Sequence, residues 1–94
     1  MIKITGVEYA GGYRLRLQFE NGVEGVLDIA RQVNFEGVFK PLANLEFFKR
    51  VRINKTWGTI EWPGKIDLDP EVLYEEVTGK PLAWAGKYRE VVEA

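Results

Sequence analysis

The sequence predicts an α+β fold: an antiparallel sheet of about five strands built from hairpins, one or two short helices packed on one face, and a C-terminal helical tail. Three observations predict it. Between Tyr13 and Phe19, Leu15, Leu17 and Phe19 alternate with Arg14, Arg16 and Gln18, the period of a half-buried strand. Thr59 to Trp62 alternates in the same way and stops at Pro63, which has no N–H to give to a ladder. Asp69-Pro70 then reads as a helix start, with Asp69 able to accept a first-turn N–H and Pro70 suited to the first helical position.

The remaining elements follow in order. Ile2 to Tyr9 reads as a first strand with Ile2 and Ile4 on one side; Gly6 marks a bulge after which Val7 and Tyr9 share that side. Ala10-Gly11-Gly12 turns the chain into the second strand. The next loop can be derived from its flanks. A two-residue loop at Asn21-Gly22 would set Phe19 opposite Glu24 and Leu15 opposite Asp28, each a carboxylate beside a core residue. A three-residue loop, Glu20-Asn21-Gly22, sets Phe19 opposite Val23, Leu17 opposite Gly25, Leu15 opposite Leu27 and Arg14 opposite Asp28. Side chains alternate with period two, so the apolar pattern selects the three-residue loop, with Gly22 in the left-handed conformation.

Asp28 caps a short helical turn, Ile29 to Val33, and Asn34 to Pro41 is a loop that still buries Phe35, Val38 and Phe39. Asn44 caps a short helix, Leu45 to Lys49. Val51 and Ile53 form a strand with Arg50 and Arg52 outward, and Lys55-Thr56-Trp57-Gly58 turns back into Thr59 to Trp62. In the helix from Pro70, Val72, Leu73 and Val77 are expected on the buried face, with Glu71, Glu75 and Glu76 in water. Gly79-Lys80-Pro81 ends it. Residues 1–79 thus make one compact domain. In the tail, 80–94, Trp84, Tyr88 and Val91 fall at i, i+4 and i+7, an amphipathic helical spacing.

Composition narrows the function. The chain has 94 residues, one domain's worth, and 46% hydrophobic residues, enough for a real core. Its 13 basic and 14 acidic residues nearly cancel, so no global positive field draws it to nucleic acid or an anionic membrane. No apolar run approaches the roughly 18–20 residues of a membrane span, and the start lacks a signal peptide's apolar stretch. There is no cysteine and no histidine, which removes disulfides, thiol chemistry, the usual general base and the commonest zinc ligand. A cytoplasmic protein without a cofactor is expected.

The strand pair YRLRLQFENG-VEGVLDI, the block GVFKPLANLEFFKRVRI and the segment GTIEWPGKIDLDPEVLY resemble the small bacterial family catalogued as domain-of-unknown-function family number 2442, over roughly residues 5–76. The most specific residues are Gly58, Trp62, Pro63, Asp67, Pro70, Leu73 and Tyr74. The family usually shows Asn-Gly after Trp-Pro; this chain has Gly64-Lys65 with the spacing kept. The resemblance implies a compact α+β domain with an antiparallel sheet and no established activity. Some relatives carry the domain ahead of a helix-turn-helix, which the segment after Gly79 is expected to be too short to form, so DNA binding does not transfer with the family. Stand-alone members are said to be encoded beside another small protein, in an arrangement that resembles toxin–antitoxin pairs.

Each candidate site has a competing structural role. Asp67, Asp69 and Glu71 suit a hard cation, but their spacing matches no calcium loop and Pro70 between them fits helix capping. Lys49, Arg50, Arg52 and Lys55, near Phe47, Phe48 and Trp57, could hold a phosphate backbone; on a near-neutral chain a solvated strand face is favoured. Trp57 is expected to fold back on the sheet; otherwise it stands exposed as a contact residue. Trp62 and Phe19 read as core, and Tyr74 as core edge. Glu61 and Asp67 could be a hydrolytic pair, but their separation is not set by sequence, and so small a domain has little room for a sugar cleft, so no catalysis is expected.

The leading expectation is a non-enzymatic protein-interaction domain whose partner is another small protein, as in a toxin–antitoxin-like module, or a second copy of the chain. Surplus aromatics carry it: Trp57, Trp84 and Tyr88 have no clear place in one small core. The alternatives are a nucleic-acid-binding or transcription-related accessory using the Lys49–Lys55 face, and small-ligand or metal binding at the Trp62–Asp69 turn.

Overall fold

The computed structural model describes residues 2–79, and its first strands take the register that the apolar pattern demands. β1 (Ile4–Tyr9), β2 (Arg14–Phe19) and β3 (Glu24–Asp28) form an antiparallel sheet in that order. Leu15 pairs with Leu27, Leu17 with Gly25 and Arg14 with Asp28. The Phe19 N–H donates to the Val23 carbonyl at 2.8 Å, and the Gly22 N–H returns to the Phe19 carbonyl at 2.9 Å. Gly22 has φ +89°, a conformation that an L side chain resists, so the loop needs glycine there. The predicted bulge is present as a register shift between Ile4 and Gly6.

Between the third and fourth strands the chain makes three short helical turns. The Asp28 carboxylate accepts the Ala30 N–H at 3.1 Å and starts α1 (Ile29–Gln32). A 3-10 segment, Gly37–Ala43, follows. Asn44 Oδ1 accepts from the N–H groups of Glu46 and Phe47 and starts α2 (Leu45–Phe48). The expected burial of Val38 is corrected: the side chain is 73% exposed. A 3-10 helix repeats every three residues, which brings Phe39 and Leu42 to one side and leaves Val38 off it.

The expectation of one five-stranded sheet is corrected as well. β4 (Arg52–Asn54), β5 (Thr59–Trp62) and β6 (Ile66–Leu68) form a second three-stranded antiparallel sheet. The sequence does not announce β6, because three residues offer a single alternation and merge with the acidic turn that follows. Gly64 and Lys65, at φ +89° and +65°, make the tight return that pairs Trp62 with Ile66. The helical excursion separates β3 from β4. The two sheets meet where the Ile4 N–H donates to the Gly58 carbonyl at 2.8 Å. The described residues also hold four helical segments rather than one or two.

Both sheets feed one core. Ile4, Leu15, Leu17 and Phe19 from the first join Ile60, Trp62, Ile66 and Leu68 from the second, with Ile29, Leu42, Phe48 and Leu73 between them. α3 (Pro70–Thr78) begins as predicted, with Asp69 Oδ1 accepting the Glu71 N–H at 2.8 Å, and ends at Gly79 in the left-handed conformation. Its buried stripe differs from the expected one. Val72 is 52% exposed, whereas Pro70, Leu73, Tyr74 and Val77, spaced i, i+3, i+4 and i+7, lie on the core side. Although α3 follows the second sheet, it packs on β3 of the first. A Cβ at Gly25 would come within 2.5 Å of Val77 Cγ1, so glycine seats the helix there. The expected tail helix, with Trp84 and Tyr88, lies outside the described residues. Among the described residues no helix is long and apolar enough to cross a membrane.

Candidate contact surface on the second sheet

Alternation in β4, β5 and β6 sends Ile53, Ile60, Trp62, Ile66 and Leu68 into the core. It therefore sends Arg52, Asn54, Thr59, Glu61 and Asp67 to the outer face. Asn54 organises this face. Its Oδ1 accepts the N–H groups of Thr56 and Trp57 at 3.0 and 3.2 Å, fixing the turn that carries Trp57. Its Nδ2 donates to Glu61 Oε1 at 2.9 Å, and Arg52 Nε donates to Glu61 Oε2 at 2.8 Å. Sequence reasoning missed Asn54. The available signal was an Asn opening a four-residue turn, where its side chain can bond backbone two and three residues on.

Trp57 is 66% exposed, which corrects the expected fold-back onto the sheet and leaves the alternative placement. It borders two concavities on this face. One, of about 390 Å³, is lined by Trp57, Thr59, Asp67, Asp69, Pro70 and Glu71. The other, of about 350 Å³, includes Arg52, Asn54, Trp57, Glu61, Lys65 and Asp67. The Thr59 hydroxyl oxygen is buried and has no hydrogen-bond partner among the described residues.

Glu61 and Asp67 stand directly opposite each other on neighbouring strands, a juxtaposition the sequence left open. Of the two, Glu61 is tied into a hydrogen-bond network. The hydrogen bonds from Asn54 and then from Arg52 hold the Glu61 carboxyl below its ordinary value of 4.5. Glu61 is thus charged at neutral pH and carries no proton to donate. The sign of the linkage follows: stabilisation by Glu61 is present above pH 4.5 and is lost as pH falls through its lowered value in the folded chain. Melting temperatures measured from pH 6 down to about pH 3 are expected to fall less steeply for Glu61→Gln than for the parent chain. Equal slopes would show that the Arg52–Glu61–Asn54 network holds nothing in solution.

The acidic trio lines one concavity but does not converge on a cation site. Asp69 is engaged as the helix cap, and no three His, Cys, Asp or Glu side chains come together as a cation site among the described residues. The basic strip is divided as well. Arg52 is paired with Glu61, and Lys49 lies 3.9 Å from Glu46 and over the Tyr9 ring. Lys55 borders a separate concavity with Lys3, Glu20 and Gly58, away from Arg52. Arg50 is exposed.

The residues that carried the family resemblance are mostly scaffold. Trp62, Pro70 and Leu73 are buried, and Pro63 ends β5. Tyr74 packs edge-on against Phe19 at 5.1 Å and accepts a hydrogen bond from Asn21. Gly58 has φ +70° and sits against Lys3. Asp67 differs from the rest in being exposed. No curated protein and no solved structure matches the chain. The family described as "Protein of unknown function (DUF2442)" matches residues 4–79, most of the chain, and the protein belongs to that family.

Proposed function

We propose that this chain is a non-enzymatic protein-contact domain, and that its contact surface is the outer face of the second sheet around Trp57. The exposure of Trp57 carries the reading. The turn does not need an indole, yet Asn54 fixes this turn with two hydrogen bonds, so the ring is presented on an ordered support. Large aromatics held exposed and rigid bind at low entropic cost, and they are enriched where proteins meet. The absence of His and Cys, which removes the usual general base and the thiol nucleophile, supports a binding role over catalysis. The partner is another small protein, in the manner of a two-protein module.

A photo-crosslinking amino acid at position 57, with position 38 as control, tests this in the native cell. Val38 is also well exposed but lies in the 3-10 segment. One discrete protein crosslinked from 57 and not from 38 is expected. Capture from 38 alone, or from neither position, would contradict the assignment.

A further inference from the structure

We propose that the concavity beside Trp57 receives an arginine side chain of a partner protein, its guanidinium lying against the indole and facing the carboxylates of Asp67 and Glu71. The proposal rests on the contact-surface reading above and adds the chemistry of what docks there.

Charge complementarity argues for it. Among the described residues, the lining of the larger concavity holds three acidic side chains and no basic one: Asp67, Asp69 and Glu71 beside Trp57, Thr59 and Pro70. Asp69 is engaged as the cap of α3. Asp67 and Glu71 have no ion pair or side-chain hydrogen bond among the described residues. Two uncommitted carboxylates therefore flank an exposed indole. An aromatic face attracts a cation, and the attraction strengthens as the pair is desolvated. A guanidinium is planar, stacks on rings and can donate to two carboxylates at once, which an ammonium does less well.

The site also departs from what stability alone would select. Glu61 and Asp67 are like charges directly across two strands, an unfavourable arrangement in an antiparallel pair. Glu61 is paired on its other side with Arg52, whereas Asp67 has no ion pair among the described residues. The Thr59 hydroxyl in the same wall is buried without a partner among the described residues. An exposed tryptophan, an uncompensated carboxylate and an orphaned hydroxyl lie around one hollow. Departures from what stability alone favours concentrate at functional sites.

The full chain, labelled for NMR, is titrated with a short peptide of alternating glycine and arginine, and with the same peptide carrying citrulline, the neutral isostere of arginine. The expected result is saturable shifts of the Trp57 indole N–H and of the Asp67 and Glu71 amides, weakened by added salt. Affinity falls about tenfold with citrulline, and by a similar factor in Trp57→Ala and in the Asp67→Asn, Glu71→Gln pair. The second variant keeps Asp69 and Trp57, so a folding defect in one does not mask the other. Equal binding of the citrulline peptide, or binding that survives both variants, would overturn the proposal. Shifts at these residues that depend on protein concentration alone would make a second copy of the chain the occupant and overturn it as well. A crosslinked partner at position 57 without arginine-peptide binding sinks this inference and leaves the contact surface standing; no crosslink and no binding removes both.

Discussion

Replacing Trp62 with alanine is expected to remove about 4 kcal/mol of folding stability, a large part of the roughly 5–15 kcal/mol that a domain of this kind has. The ring is 1% exposed and packs against Phe48 with centroids 5.7 Å apart. Its Nε1–H donates to the Phe48 carbonyl at 2.8 Å within the core, tying β5 to the end of α2. Alanine leaves a cavity and an unpaired carbonyl together. Trp62→Phe separates the two: it keeps most of the ring and leaves the carbonyl orphaned, at a cost of about 1–3 kcal/mol. Urea unfolding of both variants checks the order. A Trp62→Ala loss below about 1 kcal/mol would mean that the two sheets do not share this core.

Gly58→Ala is expected to cost about 3 kcal/mol, from backbone strain and overpacking combined. At φ +70° an L side chain is strained, and its Cβ would lie 2.3 Å from Lys3 Cβ and 2.8 Å from Lys3 Cα. The latter is backbone and cannot swing aside. Gly58 also accepts the Ile4 N–H where the sheets meet, so relief of the clash pulls on that joint. Gly64→Ala is the control. Gly64 has φ +89°, and a Cβ added there would meet nothing within 4 Å, so only strain, about 1 kcal/mol, is expected. Equal losses in the two variants would remove the close approach to Lys3 as the reason for glycine at position 58.

Much of the fold is legible in the sequence because its signals are local. The loop at Glu20-Asn21-Gly22 follows from which side chains a slipped register would bury. The three caps, Asp28, Asn44 and Asp69, are short-range chemistry that a sequence displays directly. The division into two sheets is not legible. It depends on how far the helical excursion carries the chain between β3 and β4, and on the close contact of Gly58 with Lys3, which is distant in sequence. The exposure of Val72 is hidden too, because neighbouring apolar residues on a short helix leave the stripe ambiguous until Gly25 opens a seat for Val77. At the candidate site the sequence points to Trp57, Glu61 and Asp67. It does not show that Glu61 and Asp67 face each other, which follows from β6, nor that Asn54 holds both Trp57 and Glu61.

One hairpin carries a tryptophan in the core, Trp62, and another on the surface, Trp57. The most direct measurement is the broadening of indole N–H resonances by a neutral paramagnetic gadolinium chelate, with the full 94-residue chain in dilute solution and the peaks assigned by substitution. Trp57 is expected to broaden strongly while Trp62, bonded to the Phe48 carbonyl in the core, stays sharp. A Trp57 indole as protected as that of Trp62 would mean that the chain covers its own outer face, and would contradict a surface held open for a partner.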